Sequence, residues 1–156
     1  MARLTVVGML LSVVLSGTVF AQPEPWMKQG EPNSLGLWLF VGDQCPATEE
    51  EVRERVDGEF LRARVKSDRS LDSLHLSVQV SCLSDTLQNG RQIGYTVSVE
   101  IRFGNTFGND LMLYHFPDYS TILALGTGDV SEQFFLTAIR DKAAAALTDY
   151  LKANLE

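Results

Sequence analysis

Few residues in this chain are of types that do chemistry: two histidines, two cysteines and 20 carboxylates among 156 residues. A metal centre needs three or four His, Cys or carboxylate ligands converging on one point. His75 and His115 have no neighbour at ligand spacing. His75 falls on the polar side of an alternating run and His115 lies near a turn, so surface or capping roles account for both. Cys45 and Cys82 are too far apart in sequence for a C-x-x-C redox pair. A serine nucleophile would be marked by a G-x-S-x-G elbow, and the chain has none. Glu49, Glu50 and Glu51 stand where helix capping explains them. A glycosidase pair must be held across a cleft, for which one small core leaves little room. Gly126-Thr127-Gly128 precedes a helix as a phosphate loop does, but lacks the lysine of that motif, and Asp129 would repel an anion. The residues assign no catalytic group, no metal ligand and no cofactor.

Compartment is easier to read. Residues 1–21 have the form of a signal peptide: Arg3, an almost continuous apolar run from Leu4 to Phe20, then Val19 and Ala21 at the small-residue positions before a cleavage site. Gln22, Pro23 and Glu24 follow without a basic stop-transfer cluster, so no stable membrane span is expected after cleavage. Gln22 rather than cysteine directly follows the expected cleavage site, so a bacterial lipoprotein anchor is not expected. The expected location is periplasmic or secreted. Two cysteines in an exported chain pair most simply with each other, giving a Cys45–Cys82 disulfide. The net charge of −7 disfavours phosphate backbones, so nucleic acid is not an expected partner.

The elements that would position any site are organised around Leu74–Phe103. Leu74, Leu76, Val78, Val80 and Cys82 alternate with His75, Ser77, Gln79 and Ser81, and Tyr95, Val97, Val99, Ile101 and Phe103 alternate with Thr96, Ser98, Glu100 and Arg102. This is the period of two half-buried strands. Asn89-Gly90 between them suits a two-residue type I′ turn. That turn predicts Val80 opposite Val99, Val78 opposite Ile101, Leu76 opposite Phe103 and Cys82 opposite Val97, with Gln79 facing Glu100 and Ser77 facing Arg102. The hairpin's other face is small and polar, and solvent is expected there.

Residues 22–34, with Pro23, Pro25 and Pro32, read as a Pro-rich linker, and residues 35–156 as one α/β domain. Leu35–Val41 suits a buried strand. Thr48 and Glu51 form a capping box for a helix through about Arg64, burying Val52, Val56, Phe60 and Ala63. Ser67–Ser73 reads as a loop, Leu111–Phe116 as a third strand of the set, and Thr121–Leu125 as a last short one. A closing helix runs from about Val130 to Ala153 with the stripe Phe135, Ile139, Ala143, Ala146 and Tyr150. A Cys45–Cys82 bridge would set the first two strands side by side and parallel, with the first helix crossing between them. The predicted fold is α+β: a two-layer α/β sandwich in the order β-α-β-β-β(-β)-α, a mixed, mostly antiparallel sheet with both helices on one face.

One stretch invites a partner. Met112, Tyr114 and Phe116 share one side of their strand and Leu111, Leu113 and His115 the other, so one set faces the core and the other must be covered or exposed. Cover could come from Tyr119, from the N-terminal segment or from the neighbouring return. Left open, Met112, Tyr114, Phe116, Tyr119 and Trp26 are the candidate partner-binding residues. The function this supports is a small exported, non-catalytic binding or accessory protein of the bacterial envelope, its partner another envelope protein. The alternatives are an inhibitor or immunity-type protein against a toxin or hydrolase, and a small enzyme whose site carries no motif.

Overall fold

The computed structural model describes residues 24–155 other than Asn109, Phe116 and Gly128, and of Asp129 and Val130 the backbone alone. The export segment expected at residues 1–21 lies outside them. The elements are a 3₁₀ turn at Pro25–Met27, β1 (Ser34–Val41), α1 (Glu49–Ala63), β2 (Lys66–Asp68), β3 (His75–Thr86), β4 (Gln92–Phe107), β5 (Asp110–Leu113), β6 (Thr121–Gly126) and α2 (Asp129–Leu155). The sheet is six-stranded, in the order β2-β1-β3-β4-β5, with β6 also on β4. β1 runs parallel to β2 and β3, and the remaining pairings are antiparallel. Both helices pack on one face, an α+β sandwich.

The β3–β4 ladder carries the core. Every pairing expected from the alternation is present, from Leu76↔Phe103 through Val80↔Val99 to Cys82↔Val97. The turn that produces it is different. Gly90 N–H donates to Leu87 O and Leu87 N–H to Arg91 O, and of the two turn residues Gly90 alone has a positive φ, +80°. This is a three-residue loop with glycine in the left-handed position, and the Asn89 side chain accepts from Arg91 N–H. Such a loop pairs Thr86 with Gln92, one residue out of register. The extra residue Ile93 then restores it, so that Asp85 meets Gly94.

Val78, Val80, Val97, Val99, Ile101 and Phe103 are wholly buried against Val52 and Val56 of α1 and Phe135, Ile139, Ala143, Ala146 and Tyr150 of α2. Each larger side chain so placed stabilises the fold by roughly 1.5–3 kcal/mol. Phe134, beside that stripe, is exposed. α1 begins with the expected capping box and ends at Arg64, whose left-handed φ of 56° turns the chain into β2. The polar stretch after it is not all loop: Lys66–Asp68 pairs with Ser34–Gly36. The Cys45–Cys82 disulfide is formed, with Cα atoms 5.1 Å apart, and joins the loop after β1 to β3. The Pro25–Met27 turn packs beside α2. Met27 is buried, and Asn154 donates to its carbonyl while accepting from Gln29 N–H.

Candidate functional site: the β4–β5 hairpin and the aromatic seam beside it

The third strand of the set is shorter than its sequence suggests. Ladder pairing ends at Leu113↔Gly104, and Tyr114 continues only through a single bond to Phe103 O. Neither side of β5 faces the core: Leu111, Met112 and Leu113 are all exposed, and so is Phe107 opposite Asp110. The expectation that one side would face the core holds only at Tyr114, which packs against it beside Trp26; α2 packs on β4 and β6, and neither helix packs substantially on β5. Leu111 and Leu113 lie on the open side of the sheet, across from Thr106 and Gly104. Met112 lies on the helix side across from Asn105. The result is a two-stranded end with apolar side chains on both faces.

The five candidate residues are thus divided. Met112 belongs to the exposed hairpin. Trp26 stacks on Tyr114, centroids 3.9 Å apart and rings within 6° of parallel, and meets Phe103 edge-on at 5.8 Å. Tyr119 also packs edge-on against Phe103 and is buried, its hydroxyl donating to the Asp149 carboxylate at 2.9 Å. Burial first, and then that acceptor, hold the Tyr119 hydroxyl protonated well above the usual tyrosine range. Tyr150 donates to Ser34 O, and burial pushes its hydroxyl up to about 12. Trp26, Tyr114 and Tyr119 therefore form a seam that closes the core and supports the base of the hairpin. Phe116 lies outside the described residues.

Leu111, Leu113 and Phe107 were not among the expected partner residues; the apolar character of both sides of 111–116 was a signal for the first two, whereas Phe107 sits in a Gly- and Asn-rich stretch that reads as a turn and in the structure ends β4. A second feature was missed on the sheet's open face. Trp38 and Phe40 alternate outward from β1, their rings 6.3 Å apart and 14° from parallel. Register sets them beside Ser77 and Gln79 of β3. The face seen as small and polar on the hairpin alone becomes aromatic where β1 joins it.

His75 is a correction. It is wholly buried rather than on the surface. It lies on the open face between Gly36 and Gly104, its partners in the two ladders. A Cβ on Gly36 would come 2.5 Å from His75 Cβ, and one on Gly104 would come 2.6 Å from Nε2. The two glycines make room for the ring. Its Nδ1 lies 3.1 Å from Ser73 O, while Nε2 has no partner. Burial lowers its pKa below the ordinary 6.5, outweighing the opposing Ser73 carbonyl. Below pH 6.5 the unfolded chain takes up a proton that the folded chain refuses, so stability is full above that pH and falls as pH drops toward the lowered folded value. The unfolding free energy from urea titrations should fall between pH 7.5 and 5.5 with a slope of up to about 1.4 kcal/mol per pH unit. His75→Leu should remove most of that slope; an unchanged slope would assign it to other groups.

Among the described residues no group of His, Cys, Asp or Glu is placed to hold a metal ion, and no helix is long and apolar enough to cross a membrane. No protein-family model matches the chain, and no curated protein does. Among solved structures, a minor lipoprotein from Acinetobacter baumannii is 14% identical, covering 77% of this chain and 91% of its own, at a TM-score of 0.40. The rare lipoprotein B from Shewanella oneidensis is 16% identical, covering 76% of this chain and 91% of its own, at a TM-score of 0.33. The chain thus has a distant structural similarity to bacterial lipoproteins of these two kinds.

Proposed function

We propose that this chain is an exported, non-catalytic binding protein of the bacterial envelope that holds a partner protein through the β4–β5 hairpin. The observation that carries the reading is the exposure of Phe107, Leu111, Met112 and Leu113 together, on both sides of one projecting two-stranded end. Apolar side chains gathered in this way on a soluble domain mark an interaction surface. β5 is also an edge strand, so its free main-chain groups can extend the contact by strand pairing. Export is supported by the form of residues 1–21 and by the disulfide.

The test places a photo-crosslinking side chain at Met112, and separately at Leu61, which is as apolar and more exposed but lies on α1. In intact cells the Met112 probe should give one discrete heavier adduct and the Leu61 probe none. Leu111→Lys combined with Leu113→Lys should abolish the adduct, while each substitution changes stability by no more than about 0.5 kcal/mol. No adduct at Met112, or the same adduct at Leu61, would refute the assignment.

A further inference from the structure

We propose that the open edge of β1, Leu37–Val41, takes up an extended, carboxylate-bearing segment of another polypeptide as an additional strand. The proposal rests on the reading of the chain as a binding protein but concerns a different sheet edge, so either can fail alone. β2 covers only the first part of β1, and their pairing stops at Gly36↔Asp68. The β3 side fixes how the remainder of β1 faces. Gly36 N–H bonds to Leu74 O and Gly42 N–H to Val80 O, so even-numbered residues turn their main-chain groups toward β3. Leu39 and Val41 therefore turn theirs outward, where no described strand meets them. Protected edges carry proline, lysine or a bulge; Leu37–Val41 has neither residue, and its ladder with β3 is unbroken.

A cavity of about 420 Å³ lies along this edge, between Leu37–Leu39 and the side chains of Glu49, Arg53 and Arg69. Arg53 is matched by Glu49 at 2.9 Å, whereas Arg69 makes no ion pair among the described residues. A smaller cavity shares Leu37, Arg53 and Arg69 and adds Asp57 and Asp68. Asp68 already accepts from Ser70 N–H. Asp57 has a buried Oδ1 without a hydrogen-bond partner but makes no ion pair with Arg69, so Arg69 is the unmatched cation where β2 stops, and a carboxylate on the incoming strand meets it there. On the open face the added strand would lie beside Trp38 and Phe40, whose rings offer its alternate side chains an apolar flank.

The probe is an acetylated, amidated nonapeptide alternating valine and threonine with glutamate near each end, set against the same peptide with lysine in those places. Amide exchange in the whole chain reads the result. Leu39 and Val41 amides should exchange freely alone and slow at least about tenfold with the glutamate peptide. The lysine peptide should bind about fivefold more weakly, and Arg69→Glu should reverse that order. Val41→Pro removes an outward donor at an edge position that tolerates proline, and should abolish slowing by either peptide. Should that variant not fold, the Arg69→Glu reversal decides alone. Equal or tighter binding of the lysine peptide, as Asp57 and Asp68 would favour, overturns the proposal. So does no slowing at millimolar peptide. Protection of Leu39 and Val41 before any peptide is added also overturns it, because the edge would then be filled by this chain or a second copy.

Discussion

Phe103→Ala is expected to lower the unfolding free energy by about 4 kcal/mol, near the middle of the range for deleting a buried phenylalanine. The ring is wholly buried and is the hub of the seam, touching Trp26 edge-on at 5.8 Å, Tyr119 at 6.2 Å and Tyr150 at 6.4 Å. Three surroundings would have to close on one void: the N-terminal turn, the loop before β6 and the long helix. Rigid helix and sheet cannot do so, and the Pro25–Met27 turn is the part able to yield. Trp26 emission should therefore shift to the red in the folded variant, before the urea transition begins. Phe107→Ala is the control. It is the same substitution four residues on, with the same strand parity, but at a side chain 54% exposed. It should change stability by no more than about 0.5 kcal/mol and should weaken the crosslink at Met112. Equal stability losses in the two variants would mean that the hairpin end is packed as tightly as the core, and the interaction surface would lose its basis.

The ladder behind Phe103 was legible because two signals of different kind overlap in it. Alternation says which residues share a face, and the turn says which residues meet. The turn chemistry was misread at Asn89, which keeps an ordinary φ, yet the pairings came out right because the bulge at Ile93 cancels the one-residue offset of the longer loop. Burial explains why the offset must be cancelled. A slip carried into Val97–Phe103 would turn their side chains to the open face and put Thr96, Ser98, Glu100 and Arg102 in the core. The strand interior dictates register, and the turn accommodates it.

Elements set by tertiary contact were not legible. Lys66-Ser67-Asp68 has no apolar alternation, and it is a strand only because Arg64 redirects the chain alongside Ser34–Gly36. Because that strand is three residues long, no described strand pairs with the rest of β1 on that side, which no local pattern in Leu37–Val41 could announce. His75 was misplaced for the same reason. Alternation put it correctly on the open face. Its burial depends on Gly36 and Gly104, 39 residues before it and 29 after it, brought alongside by the sheet. For the candidate site, sequence showed that 111–116 had apolar residues on both sides. Which residues were exposed depended on how far the helices reach along β4.

Removing the disulfide, by Cys45→Ala together with Cys82→Ala, is expected to cost about 4 kcal/mol, the chain-entropy value for a loop of this length. The bridged residues are 37 apart and enclose all of α1 and β2. Without the bond the unfolded chain regains that loop's freedom, while the folded chain still has the six-residue β1–β3 ladder, Leu39 in the core and α1 packed on α2. The loss should therefore appear as a lower urea midpoint together with a raised m-value, because the uncrosslinked denatured chain exposes more surface. Amides in the centre of β3 and β4, the most deeply buried ladder, are expected to exchange by global unfolding and so should all speed up by one common factor. Cys45 lies beyond the last β1 pairing, Val41↔Val80, so a native-state effect would look different. It would speed exchange from Phe40 to Cys45 alone and leave Val78 and Ile101 as slow as before. That outcome would assign the bond to holding the open β1 edge in place rather than to the stability of the whole domain.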